Sequence, residues 1–144
     1  MAVKPIPEGF HTVTPSLVVK GAAKLIDFMK AAFGGEEIMR MPTPNGDIMH
    51  AEVKIGDSIV MLNDSMGQQP TAASLFLYVK DVDAVYKAAV KAGGSSAAEP
   101  TDMFWGDRMA MVKDQFGNQW SIATHKEDVP PNEMEKRAAA AMKQ

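Results

Sequence analysis

The chain contains no cysteine, so disulfides, thiolate metal sites and cysteine nucleophiles are all excluded. It has no block of lysine or arginine. The net charge of −3 is spread along 144 residues, and nothing in it argues for a nucleic acid or an anionic membrane as partner. No apolar run approaches the roughly 20 residues needed to cross a bilayer. The opening MAVKPIPEGFH lacks the apolar segment of a signal peptide, so the cytoplasm is the expected compartment. Aromatic residues are scarce at 7 %, which makes the Phe-Trp pair inside FWGDR (104–108) conspicuous. What remains is an ordinary globular composition, 46 % hydrophobic and 23 % charged, of a length that predicts one domain with a sizeable core. Twelve methionines add an adaptable apolar component.

The chain repeats itself. SLVVKGAAKLIDFMKAAFGG (16–35) aligns without a gap onto FLYVKDVDAVYKAAVKAGGS (76–95), which sets Lys20 on Lys80 and Gly34 on Gly94. At the same offset, NGD (45–47) falls on WGD (105–107). With one further residue, IGDSIVMLND (55–64) falls on FGNQWSIATH (116–125). The punctuating glycines recur with the apolar pattern, so the same unit is written twice.

Each unit reads as β-α-β-β-β. TVTPSLVV and ASLFLYV are β-rich runs. Ala22, Leu25, Ile26, Met29 and Phe33 recur at helical spacing and stop at Gly-Gly, a helix with a glycine C-cap. Val82, Val85, Ala89 and Val90 repeat the stripe behind Asp81, a good N-cap. EEIMRMPTPNGDIMHAEVKIGDSIVMLND reads as three strands turning at Asn45-Gly46 and Gly56-Asp57. The expected fold is α+β: tandem βαβββ modules, about 9–66 and 71–126, forming a curved mixed sheet around a concavity. Residues 68–71 link them, and a C-terminal helix spans about 131–143 with Pro131 in its first turn. A ribbon covered by one helix leaves a sheet face bare, and two such units can pair around a shared concavity. The paired modules can come from one chain or from two.

Tandem βαβββ units with glycine-ended helices and a closing D-x-F-G-N-x-W strand resemble the vicinal-oxygen-chelate superfamily, which includes glyoxalase I, bleomycin-resistance proteins and extradiol dioxygenases. More narrowly, HTVTPSLVVKGAAKLIDFMKAAFG, MHAEVKIGDSIVMLND, FWGDRMAMVKDQFGNQWSIATH and EDVPPNEMEKR resemble the PhnB-like branch. The resemblance implies a site in the concavity and a homodimer, for which the Ala-rich stretch Arg137–Met142 is a plausible clasp. It also implies four ligand slots for a divalent ion, usually histidine or glutamate. Carried over position by position, these slots fall on Thr14, on Ser74, on Ser121, and on Val60 or Met61. None of these residues is a competent ligand for a hard or borderline cation. No metal or other cofactor is therefore expected.

A displaced metal site at His50 and Glu52 is the weaker alternative, because residues two apart on a strand share a face. His11 and His125 read singly as solvated or hydrogen-bonded. The concavity is expected to present Thr14, Ser74, Ser121, Met61, Met109, Met111 and Trp120, with Met49 and Phe76 as further candidates. Such a mostly apolar pocket with a few hydroxyls suits a small organic ligand. Gly106 and Asp107 read as turn residues. Trp105 is expected at the pocket rim, with Arg108 as a clamp for an anion, although a subunit interface would also use both. Two functions follow: a metal-free ligand-binding protein that sequesters its ligand as bleomycin-resistance proteins do, or a lyase, isomerase or group-transfer enzyme of the same superfamily.

Overall fold

A computed structural model describes residues 3–143. The first module runs β1 (Ser16–Val19), α1 (Ala22–Phe33), β2 (Glu36–Pro42), β3 (Ile48–Ile55) and β4 (Ser58–Asp64). The second runs β5 (Ser74–Tyr78), α2 (Val82–Lys91), β6 (Ser95–Asp102), β7 (Asp107–Lys113) and β8 (Gln119–His125), and α3 (Pro131–Met142) follows. Each module forms its own four-stranded mixed sheet, in the orders β1-β4-β3-β2 and β5-β8-β7-β6. In both, the opening strand lies parallel to the last, and the remaining pairs are antiparallel. The sheets are separate and do not close on one another.

Local chemistry accounts for the elements. Gly34, at φ 67°, ends α1 by donating its N–H to the Lys30 carbonyl while the Gly35 N–H bonds the Met29 carbonyl, a conformation at Gly34 that a β-carbon would penalise. Asp81 caps α2 by accepting from the Ala84 N–H at 3.2 Å. Val82 and Ala89 are buried, and Val85 and Tyr86 pack against the core beside them. Val90, expected on that stripe, is 39 % exposed, because Tyr86 completes the i, i+3, i+4, i+7 spacing and Val90 falls one position beyond it. The β2–β3 and β6–β7 hairpins close identically. Thr43 N–H bonds Asp47 O and Gly46 N–H bonds Thr43 O, as Met103 N–H bonds Asp107 O and Gly106 N–H bonds Met103 O.

Strand pairing corrects the repeat register near the end of each module. Ser16 faces Met61 as Phe76 faces Ser121, so β4 and β8 match sixty positions apart, not sixty-one. The end of each last strand agrees: Asp64 accepts the Ala22 N–H in one module, and Thr124 accepts the Val82 N–H in the other. The extra residue of the second module sits in its β7–β8 hairpin. The first module balances it with a bulge beside Met41 and Pro42.

The modules meet through α1 and α2 and share one core. Trp120 is central to it, fully buried, with ring centroids 4.8 Å from Phe33 and 6.4 Å from Phe28. Its indole N–H donates to Asp114 at 2.9 Å, and the same carboxylate accepts the Phe116 and Asn118 backbone N–H groups and the Asn118 side-chain amide. The D-x-F-G-N-x-W stretch is thus a structural knot that satisfies a buried polar turn and anchors an aromatic. Among the described residues, no helix is long and apolar enough to cross a membrane.

Candidate functional site

Register decides which side chains share the bare face of each sheet, since directly paired residues point the same way. On the second module, Phe76 pairs with Ser121 and Ser121 with Met111, and Tyr78 pairs with Ala123 and Ala123 with Met109. Ser74 opens β5 on this face and is exposed. On the first module, Ser16, Met61, Glu52 and Met39 form one row, and Met41 pairs with His50 in the next. The predicted Ser74, Ser121, Met61, Met109 and Met111 thus lie on bare faces. Trp120 points to the helix-covered side, because period-2 alternation places it opposite to Ser121, and there it borders the groove beside β5. Thr14 precedes β1 and donates its hydroxyl to the His11 carbonyl at 3.2 Å. Met49, beside the bulge, is 50 % exposed and unpaired with β2.

Strand pairing makes Met61, not Val60, the repeat equivalent of Ser121. The four slots that the resemblance implies hold three hydroxyls and a thioether, and Glu52, the cross-strand partner of Met61, shares the face of that thioether. The set in the four slots does not fit a divalent cation. His50 Nε2 and Glu52 Oε2 are hydrogen-bonded to each other at 2.9 Å, and no group of three or more acidic or histidine ligands forms among the described residues.

The polar centre of the second module is Asp107, which is only 3 % exposed. Its Oδ2 accepts from the Tyr78 hydroxyl at 2.9 Å and from the Trp105 indole N–H at 3.1 Å. Its Oδ1 lies 2.8 Å from His125 Nδ1, and His125 Nε2 lies 2.7 Å from Asp128. An imidazole that donates to two carboxylates carries both protons. The His125 pKa is accordingly raised, first by Asp107 and then by Asp128. Burial pushes the Asp107 carboxyl up, but the bonds from His125, Tyr78 and Trp105 outweigh it and hold the group below its usual range. The same carboxylate raises the Tyr78 phenol.

FWGDR therefore divides. Gly106, at φ 102°, turns the chain, and a β-carbon there would collide with the Glu127 carbonyl. Its own carbonyl accepts the Lys126 and Glu127 N–H groups at 2.8 and 3.1 Å, which fastens the turn to the segment after β8. Phe104 stands edge-on to Trp105 at 5.0 Å, and its carbonyl accepts from Arg137 of α3 at 3.1 Å. Arg108, expected as an anion clamp, is committed elsewhere. Its guanidinium grips Asp83 through two bonds of 2.9 and 3.1 Å and reaches Asp102 at 3.2 Å, on the helix side of the sheet. These carboxylates raise its pKa further, Asp83 foremost.

A groove of about 1040 Å³ runs along the outer edge of β5. One wall is Phe76, Tyr78, Leu77 and His125 of the second module, and the other is the Ile55–Ser58 turn, Pro15 and Phe33 of the first. Phe76 and Tyr78 belong both to this groove and to the bare face, so the two surfaces are continuous. Sequence reading missed Asp107, Tyr78 and Asp128. It weighed His125 alone, whereas Asp107 and His125 are direct cross-strand partners.

The Glyoxalase/Bleomycin resistance protein/Dioxygenase superfamily profile matches residues 9–122. The chain belongs to that superfamily. An uncharacterized Mycobacterium bovis protein is 36 % identical over 135 residues, covering 85 % of this chain and 89 % of its own. An uncharacterized Mycobacterium tuberculosis protein is equally identical over 85 % of this chain and 79 % of its own. Among solved structures, TioX from Micromonospora sp. ML1 superposes with a TM-score of 0.70 at 24 % identity, over 80 % of this chain and 98 % of its own. A PhnB protein from Bacillus cereus superposes at 0.67 and 16 % identity, over 79 % and 99 %. At these identities the structural likeness bears on the superfamily fold.

Proposed function

We propose that this superfamily member is a homodimeric small-molecule-binding protein of the PhnB-like branch that works without a metal. Its ligand occupies the groove beside β5 and the adjoining face of the second module. The residue types at the superfamily's ligand slots carry the reading, three hydroxyls and a thioether, and a ligand-sized apolar groove along β5 supports it. Methionines and exposed aromatics give that surface adaptable shape, the property a sequestering protein needs. The homodimer is supported by α3, none of whose side chains is buried in the single chain.

Metal analysis of untreated protein, beside a thermal-shift screen of small organic compounds with and without chelator, tests the reading. Metal far below one equivalent and ligand-induced stabilisation indifferent to chelator are expected. Near-stoichiometric metal, or a chelator-sensitive turnover, would sink it. A monomeric mass by sedimentation at micromolar concentration would remove the dimer.

A further inference from the structure

Four features converge at the β5 edge. Phe76 and Tyr78 pack at 5.1 Å and remain 49 % and 64 % exposed, an aromatic pair left in water on the edge strand of its sheet. The other outer edges are blunted: Thr71 pairs with Val18 beside β1, β2 carries Glu36, Glu37 and Pro42, and β6 carries Glu99 and Pro100. The charged groups lining the groove are Lys80, His125 and Asp57, and Asp57 already accepts the Ser58 hydroxyl at 2.9 Å. Finally, His125 is held through Nδ1 by a buried carboxylate and through Nε2 by an exposed one. Asp107 is 3 % exposed at its side chain and Asp128 is 101 % exposed.

The two carboxylates are unequal. Asp107 is itself buried and also receives Tyr78 and Trp105, so taking the imidazole from it would leave a buried carboxylate short of a donor. Asp128 has no such cost, since fully exposed ion pairs contribute little. It shows what the Nε2 position accepts: a carboxylate oxygen.

We propose that the groove binds a planar aromatic or conjugated monoanion, its ring against Phe76 and Tyr78 and its anionic oxygen taking the place of Asp128 at His125 Nε2. The assignment rests on the ligand-binding reading above and names the chemical class of its ligand. Asp107 on β7 and Asp128 after β8 face the imidazole and favour its proton, and Tyr78 on β5 steadies Asp107. Affinity for the anion therefore falls as pH rises and His125 loses its charge. Asp128 acts as an internal competitor.

Isothermal titration of the full chain with 2-naphthoate and with uncharged 2-naphthamide tests this at pH 6. Naphthoate should bind about tenfold more tightly, the effect of one charge-assisted hydrogen bond. His125→Gln should erase the preference, Phe76→Ala should weaken both probes, and Asp128→Ala should tighten naphthoate alone. The Asp128 variant touches only an exposed side chain, so it remains informative if the His125 variant folds poorly. Equal affinity for the two probes, a preference that survives His125→Gln, or weaker naphthoate binding by Asp128→Ala would each overturn the anion assignment while leaving ligand binding standing. Binding of neither probe would also overturn it. The ligand-binding reading falls separately, on near-stoichiometric metal or an empty compound screen.

Discussion

Asp64 of the first module and Asp107 of the second are buried carboxylates satisfied by different kinds of donor. Asp64, at the end of β4, accepts only backbone N–H groups: Gly21 at 2.8 Å, Ala22 at 2.9 Å and Ile48 at 2.7 Å. Burial pushes its pKa up, and these three bonds, Ile48 foremost, hold it below the usual range. It is a helix cap that ties β3 and β4 to the start of α1. In the second module a smaller group does that job: the Thr124 hydroxyl accepts from Val82 and donates to the Val79 carbonyl, both at 2.9 Å. That module buries two carboxylates: Asp114, held in the β7–β8 turn with Asn118 and Trp120, and Asp107, whose donors are the side chains of Tyr78, Trp105 and His125 at a groove rim. A carboxylate that holds backbone builds scaffold, whereas one that orients an imidazole, a phenol and an indole beside an open groove equips a site.

The contrast can be broken in several places. Trp120→Ala should have the largest effect, about 3–5 kcal/mol by urea denaturation, because it empties the shared core. Val60→Ala, at the matching position of the first module, should cost about 2 kcal/mol. Equal losses would mean that the two halves contribute alike to the core. Next, Asp64→Ala should cost about 2 kcal/mol and Thr124→Ala about 1 kcal/mol, since the carboxylate serves three backbone donors and the hydroxyl one. The reverse order would refute the assignment of Asp64 as the stronger cap.

Smaller and sharper is the titration of His125 followed by NMR. Asp107→Asn should return it toward its ordinary value near 6.5, while Asp64→Asn should leave it unmoved. A change in both variants would mean that the carboxylates are not separate in function. The pH dependence of stability follows with the same sign. His125 is raised in the folded state, so its contribution is complete below about 6.5 and disappears as pH climbs through the raised value. Asp107 is lowered, so its contribution is present above about 3.8 and is lost as acidification passes the lowered value. The stability gap between the parent chain and His125→Gln should therefore narrow from pH 6 toward alkaline pH; a constant gap would contradict the ion pair. The smallest effect expected is that of Arg108→Lys on binding of either naphthalene probe, which should be none, because the guanidinium is engaged with α2 and β6. A marked loss of naphthoate affinity would restore Arg108 to the pocket.

Much of the scaffold was readable in advance. Gly34, Asp81, Asn45-Gly46 and the apolar stripe of α1 act locally, within a turn or two of themselves, and stand in the structure where their chemistry required. The stripe of α2 does so except that Tyr86 replaces Val90. The misreadings lie where strands meet. The concavity expectation joined Trp120 to Ser121, but adjacent strand residues face opposite ways, and Trp120 borders the groove beside β5 from the helix-covered side. Arg108 was read as free because its partner Asp83 sits on α2, twenty-five residues away. Asp107 looked like a turn residue because Asp47 is one, and the two share a hairpin but not a neighbour equivalent to His125.

Chain order and local preference were enough to establish two βαβββ modules with their capped helices and hairpins. These depend on periodicity, on glycine and proline geometry, and on residue types at fixed spacing. The meeting of Asp107 with His125, Tyr78 and Trp105, the capture of Arg108 by Asp83, and the open edge of β5 depend instead on which strand lies beside which and in what register. Side chains eighteen or twenty-nine residues apart become hydrogen-bond partners only after that pairing is made. Burial then decides which of two carboxylates on one imidazole stays and which can give way.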